Sequence, residues 1–338
     1  MNSYIYILIL YIFLVYFLNN FVLKNNFLRS YTGSNHQLFA NKSVPLTGGI
    51  FIILPVIYIF FSYDLFLILF LTAIFIIGLL SDLNFINSPK KRFFLQLFLI
   101  IFYIFFTRLE VLPTKIDFID NNIEQTIVSY ALTIFCLMIL INGSNFIDGL
   151  NGLFLGYVTI ILFIILKNNL FYVLGISIEE FFFIIGIFIF ILILNYLNKL
   201  FVGDSGSYAI GFLIGFILIK IYNLSFNLSP YFIILLLWYP CFENLFCIIR
   251  KLNVKKSPLK PDNKHLHQFL FQFLLKKFNL QKIIANNLAS MSINLFNIII
   301  FYFASLDASH TFYQIKLIAF CVVSYMVAYK ILKTKVSY

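Results

Sequence analysis

Charge is what this chain has least of. Only 11% of its 338 residues are Asp, Glu, Lys or Arg, against 62% hydrophobic. A soluble globular domain carries about 25% charged residues. A surface so poor in charge does not stay dissolved, which excludes a soluble enzyme, a secreted disulfide scaffold and a disordered protein. Histidine and cysteine are sparse too, at four each. Cys136, Cys241, Cys247 and Cys321 lie in apolar runs without a C-x-x-C pair, so they read as packing residues rather than zinc ligands or a disulfide framework.

Long apolar runs are what the chain does have. A membrane helix needs about 20 such residues, with a range of about 17–25. Eleven candidates stand out: Tyr4–Leu23, Pro45–Phe61, Leu65–Leu80, Phe93–Phe106, Thr126–Ile141, Gly152–Leu166, Phe181–Tyr196, Ser207–Ile221, Pro230–Ile249, Ile283–Ala304 and Thr311–Leu332. Lys167, Asn168 and Asn169 cut the sixth short, so ten is the alternative count. The runs lack two-residue alternation, which favours helices over a barrel. The first has neither a basic start nor a small-residue cleavage site and is taken as a helix rather than a signal peptide. The expected fold is an all-α polytopic membrane protein, one integral membrane domain over residues 1–338.

The formal net charge is +11, from 24 basic and 13 acidic residues. On a soluble chain this would suggest nucleic acid; here it sets topology instead. With the N-terminus outside, 19 of the 24 cations fall on the cytoplasmic side, among them Lys24, Arg29, Lys42, Lys90, Lys91, Arg92, Lys260 and Lys264. Eight acids, including Asp117 and Glu124, fall outside, and Glu243 lies within the ninth run. Four are cytoplasmic: Asp82, Asp148, Asp204 and Asp262. The inner face is therefore where chemistry is expected.

Each of those four sits in an unusual stretch. They are Gly78-Leu-Leu-Ser-Asp82, Asn142-Gly-Ser-Asn-Phe-Ile-Asp-Gly-Leu-Asn-Gly152, Phe201-Val-Gly-Asp-Ser-Gly-Ser207 and Pro261-Asp-Asn-Lys-His-Leu-His267. Two crossings separate consecutive stretches, so all four share one face. Asp82 and Asp204 belong at the interface, because an ionised Asp is costly at mid-bilayer; the plain reading is a helix cap. The Asn142–Gly152 stretch places seven Asn, Asp and Gly among eleven residues, more than a turn requires. Its oxygens are of the kind Mg²⁺ accepts. His265 and His267 would not share a helix face, so an extended segment suits their joint action better. With Lys264 they fit a polyanion; the surrounding lysines also fit contact with anionic lipid. Together the stretches describe a cleft for a phosphate or diphosphate, and a phosphoryl transfer that rests on positioning and charge neutralisation.

In these motifs the chain resembles the polyprenyl-phosphate N-acetylhexosamine-1-phosphate transferases, from about His36 to His267. Ser43-Val-Pro-Leu-Thr-Gly-Gly49 resembles that family's Pro-x-x-Gly-Gly segment before the second helix. Gly78–Asp82, Ser88-Pro-Lys-Lys-Arg92 and Gln96 resemble its first acidic motif, Asn142–Gly152 its Asn-x-x-Asp-Gly-x-Asp-Gly loop, and Phe201–Ser207 its Gly-Asp-Ser motif. Pro240-Cys-Phe-Glu243, Arg250 and His265-Leu-His267 resemble its last inner loop. The resemblance implies transfer of a sugar 1-phosphate from a UDP-sugar to a polyprenyl (undecaprenyl) phosphate, with release of UMP and dependence on Mg²⁺, for which Mn²⁺ could substitute. It assigns Asn145 and Asp204 to the metal, Asp82 to the lipid phosphate and Asp148 to the nucleotide side. It gives His265 and His267 a catalytic part, binding phosphate or sugar with Arg250. Lys90, Arg92, Asn142, Asn151, Arg250 and Lys264 are its substrate-binding set. It implies a bacterial cytoplasmic (inner) membrane location and no nucleic-acid partner, and it leaves room for a homodimer.

Two positions depart from the family pattern. Ser81 stands where the first of two acids is usual, and Asn151 where many members have a second Asp. The charge facing a diphosphate is lower by two, which implies weaker Mg²⁺ binding before nucleotide arrives. The single Leu between the histidines favours the branch that starts O-antigen or other surface polysaccharides over the muramoyl-pentapeptide branch. The rival readings are a lipid-phosphate or sugar-phosphate transporter, and a catalytically degenerate relative.

Overall fold

The computed structural model describes residues 2–25, 27–28, 44–111, 113–116, 120–121, 126–225, 227–258 and 263–336. His36, Ser43, Pro261 and Asp262 of the motifs lie outside them, as do Arg29, Lys42, Asp117, Glu124 and Lys260 of the charge assignment. Among the described residues there are thirteen α-helices and no strand. They are α1 (Asn2–Asn25), α2 (Gly48–Phe60), α3 (Leu65–Asp82), α4 (Pro89–Thr107), α5 (Thr126–Ile147), α6 (Leu153–Lys167), α7 (Ile178–Tyr196), α8 (Gly203–Leu224), α9 (Pro230–Leu236), α10 (Trp238–Asn253), α11 (Leu266–Phe278), α12 (Lys282–Ala304) and α13 (Thr311–Val336). Every one of the eleven apolar runs is helical. Among the described residues seven helices are long and apolar enough to cross a membrane, and the α9–α10 pair would make an eighth. The chain is a multi-pass membrane protein.

The remaining runs show why the sequence count is higher. α2 and α6 are apolar but only 13 and 15 residues long. The first turn of α4 carries Lys90, Lys91 and Arg92. α6 ends at Lys167, as the polar residues there predict, and a short 3-10 turn (Leu170–Leu174) follows.

α8 is the axis of the bundle. It packs against α2, α3 and α5, and is buried from Ser205 through Ile219. Apolar residues gain nothing by leaving lipid, so membrane helices associate through close packing of small residues. A Cβ on Gly49 would sit 2.4 Å from the Cα of Gly206, which brings the first turns of α2 and α8 into backbone contact. The same segments exchange hydrogen bonds. Gly48 and Gly49 N–H donate to the carbonyls of Phe201 and Val202 at 2.9 and 3.1 Å, and Phe201 N–H donates to Pro45 at 2.9 Å. The Pro-x-x-Gly-Gly segment thus holds the loop that leads into α8.

The run Pro230–Ile249, read from sequence as one crossing, is broken. α9 and α10 meet at 74°. Pro240 has no amide hydrogen, so the Leu236 carbonyl loses the donor that a continuous helix would supply. Tyr157 of α6 fills the gap: its hydroxyl donates to Leu236 O at 2.9 Å and accepts from Tyr239 N–H at 3.3 Å. Tyr157 is itself buried. Irregular backbone at membrane depth survives only where protein satisfies it. Tyr157→Phe strands both groups and should cost about 1–3 kcal/mol. The check is a lower thermal unfolding midpoint of the purified protein in detergent.

Candidate functional site

The start of α8 brings the sequence stretches together. A helix leaves its first amides without intrahelical partners. Val202 supplies no side-chain cap here. Asp82, the last residue of α3, does so from outside: its Oδ1 accepts from Asp204 N–H at 2.8 Å and its Oδ2 from Ser205 N–H at 3.0 Å. Asp82 is therefore a cap, as the plain reading has it, but the helix it caps is not its own. Gly203 makes the approach possible. Its φ is +78°, and a Cβ there would lie 2.7 Å from Asp82 Oδ2.

Asp204, in the first turn of α8, is the hub. Its Oδ1 accepts from Asn145 Nδ2 at 2.6 Å. Its Oδ2 accepts from Ser81 Oγ at 2.6 Å, pairs with Arg92 Nη1 and has Tyr208 OH at 3.4 Å. Asn145 Nδ2 also reaches Ser207 Oγ at 3.1 Å. Asn142, one turn earlier on α5, donates to Met138 O at 2.9 Å and Gln96 Oε1 at 3.4 Å. Asp148 lies in the turn after α5. Burial pushes its carboxyl well above the usual carboxylate range, and the negative charges of Asp204 and Asp82 push it further. Arg92 is the cation paired with this group.

The histidines come to the same loop by another route. His265 is extended, with φ −90° and ψ 151°, and α11 begins immediately after it. The expected extended segment thus ends at His265, and His267 is already helical. Because His265 is not, the two rings stack at 5.4 Å and 13°. His265 Nδ1 lies 2.9 Å from Oε1 of the buried Glu243, and its ring is 5.3 Å from that of Phe146. A Cβ on Gly149 would be 3.0 Å from His267 Nε2. So the pair sits on the Asn142–Gly152 stretch.

Four of the assigned residues stand apart from the Asp204 hub. Asn151 is buried; its N–H donates to Asn286 Oδ1 at 2.9 Å and its Nδ2 to Asn198 Oδ1 at 3.3 Å. Lys90 is exposed at the start of α4. Arg250 Nη2 lies 3.6 Å from Cys247 Sγ, near the end of α10. Lys264 is exposed, and its carbonyl accepts from Tyr329 OH at 3.2 Å. The sequence motifs leave out Tyr208 and quote Ser207 without a site role; the two sit four and three residues after Asp204 on one helix, and that spacing is itself the signal. It quoted Glu243 without assigning it a site role.

Among the described residues no group of three or more His, Cys, Asp and Glu converges to hold a metal ion. The donor set instead is one carboxylate, Asp204, and one amide, Asn145, with Asp82 and Asp148 adding negative field. Mg²⁺ is commonly held by one or two carboxylates together with substrate phosphates rather than by an all-protein cage. The positive guanidinium of Arg92 already stands on Asp204, so the position attracts a cation. These residues fit a divalent ion that arrives with its substrate.

Residues 65–222 match the model of glycosyl transferase family 4. The chain is 27% identical over 245 residues to a probable undecaprenyl-phosphate N-acetylglucosaminyl 1-phosphate transferase of Bacillus subtilis, covering 69% of this chain and 67% of that one. It is 31% identical over 249 residues to a phospho-N-acetylmuramoyl-pentapeptide-transferase of Prochlorococcus marinus, covering 63% and 69%. It is 28% identical over 244 residues to the undecaprenyl-phosphate alpha-N-acetylglucosaminyl 1-phosphate transferase of Escherichia coli K12, covering 68% and 65%. The matches span about two thirds of each relative's length.

If Asp82 carries the start of α8, Asp82→Ala strands two amides and should cost about 0.5–2 kcal/mol. Asp82→Asn keeps an acceptor and should cost less. The order of the two thermal midpoints checks this.

Proposed function

The chain belongs to glycosyl transferase family 4, and from that premise we propose that it transfers a sugar 1-phosphate, an N-acetylhexosamine 1-phosphate, from a UDP-sugar to undecaprenyl or another polyprenyl phosphate. The names of its relatives in both branches support the acceptor class. The observation that carries the reading is the convergence of Asp82, Asn145, Asp148 and Asp204 with Arg92 at one end of the helices.

The reaction is a phosphoryl transfer. An oxygen of the lipid phosphate forms a bond to the phosphorus that carries the sugar. The bond from that phosphorus to the bridging oxygen breaks, and UMP leaves with that oxygen. Such chemistry is governed by positioning and by neutralising the charge on the phosphates. Asn145 and Asp204 are the residues that would hold Mg²⁺, with Mn²⁺ as a substitute; its part is to neutralise the diphosphate. Asp82 orients the lipid phosphate while it caps α8, since each carboxylate oxygen has a second lone pair. Asp148 supports the nucleotide side. His265 and His267, set by Glu243, bind phosphate or sugar with Arg250. Lys90, Arg92, Asn142, Asn151 and Lys264 complete the substrate-binding set. The reading places the active site at the cytoplasmic face of the bacterial inner membrane and the reaction at the start of O-antigen or other surface polysaccharide synthesis, with one domain over residues 1–338.

Purified protein given undecaprenyl phosphate, Mg²⁺ and UDP-N-acetylhexosamines should release UMP only when the lipid phosphate is present. Absence of turnover with every UDP-N-acetylhexosamine, where a known member works, would sink the proposal. Asp204→Asn should lower kcat by at least about 100-fold, the scale of losing one electrostatic group from such a site, with the protein still monodisperse.

A further inference from the structure

Arg92 is anchored through one nitrogen. Its Nη1 meets Asp204 Oδ2, Ser81 Oγ at 2.6 Å and Tyr208 OH at 3.4 Å. Its Nε is buried and has no hydrogen-bond acceptor among the described residues. A guanidinium offers five N–H donors in a planar fork and does not give up its charge. Most of that fork is unspent, and its geometry matches the oxygens of a phosphate.

Ser81 decides how hard Arg92 pulls on Asp204. Its hydroxyl accepts from Arg92 and donates to Asp204 Oδ2. A carboxylate at position 81 would compete for the guanidinium and leave Asp204 partly uncovered. A neutral hydroxyl cannot, so the positive charge of Arg92 rests on Asp204. Asn145 holds the other oxygen. Both oxygens of Asp204 thus carry a partner before any substrate arrives, and a divalent cation meets the positive charge of Arg92 already there.

We propose that Arg92 is an exchangeable counter-ion: it neutralises Asp204 in the substrate-free protein and moves to the donor's diphosphate when a divalent cation takes the carboxylate. This rests on the transferase reading of the site. Diphosphate and cation then bind as a pair. The diphosphate draws Arg92 off Asp204, and the cation keeps it off. By linkage each raises the affinity for the other by the same factor.

The test is Mn²⁺ binding to purified full-length protein without nucleotide, followed by electron paramagnetic resonance. Arg92→Gln should bind Mn²⁺ alone at least about tenfold more tightly than wild type, within the usual range of site coupling. Lys91→Gln removes the same charge from an exposed neighbour. It should stay within about twofold of wild type, because exposed charges are largely screened. An Arg92→Gln affinity no higher than that of Lys91→Gln overturns the proposal. A reciprocal measurement needs no Arg92 variant. In metal-free buffer, Asp204→Asn releases Arg92 and should bind UDP-N-acetylglucosamine at least about tenfold more tightly than wild type; equal affinity would also overturn it. UMP release is read separately. Tight Mn²⁺ binding by Arg92→Gln with no UMP from wild type would leave the exchange standing and remove the transferase reading.

Discussion

A helix that begins inside a protein, away from water, must find partners for its first amides or pay their desolvation in full. α8 is the most enclosed of the seven long apolar helices among the described residues, and its start is the point on which the site depends. Asp82 satisfies the amides of Asp204 and Ser205, and this fixes the register of α3 against α8 to within a hydrogen bond. Glycine at 203 allows the approach, and glycines at 49 and 206 let α2 close on the same turn. Once α8 is so held, Asp204 projects toward α5 and α4, where Asn145 and Arg92 meet it. Motifs distant in sequence are therefore one structural device before they are a catalytic one.

The same device sets the charge of the site. Burial raises the affinity of Asp148 for its proton, and the negative charges of Asp204 and Asp82 raise it further. Arg92 offsets one of the three. The remaining negative field suits a cation, but the hydrogen bonds around Asp204 hold it as part of the protein's own network. If Arg92 is the exchangeable counter-ion proposed above, such a site holds together on its own hydrogen bonds and takes a second cation only with the anion that needs it. That logic follows from Ser81, since a second carboxylate there would make a stronger standing metal site and a weaker arginine pair.

Much of this was legible in the sequence, and the limits have physical causes. Helix positions followed from apolar run length, because nothing else is stable in lipid. Asp82, Asn145 and Asp204 were expected together from their motifs, and the hydrogen bonds around Asp204 join them. What could not be read was which groups touch. The cap on α8 comes from another helix 122 residues away, and no local pattern encodes it. Asn151 looked like a depleted acid of the loop, whereas its bonds tie the loop to Asn286 and Asn198. The break after Leu236 was missed because Pro240 sits where a helix start tolerates it, and the compensating hydroxyl of Tyr157 lies 79 residues earlier.

That break also explains how the histidines reach the site. A straight continuation of α9 would carry Glu243 about 9 Å beyond Leu237 along the same axis, at 1.5 Å per residue. The 74° turn directs α10 across α5 instead. Asn244 then donates to Ile139 O at 2.9 Å, and the Pro240 carbonyl oxygen packs so close to Gly143 that a Cβ there would lie 2.2 Å from it. Glu243 arrives beside His265, and its bond to Nδ1 turns Nε2 to the other side of the ring. The orientation of that imidazole is thus set by a chain of contacts that begins at a phenol on α6, and the irregular backbone is the reason a buried carboxylate stands where the loop can use it.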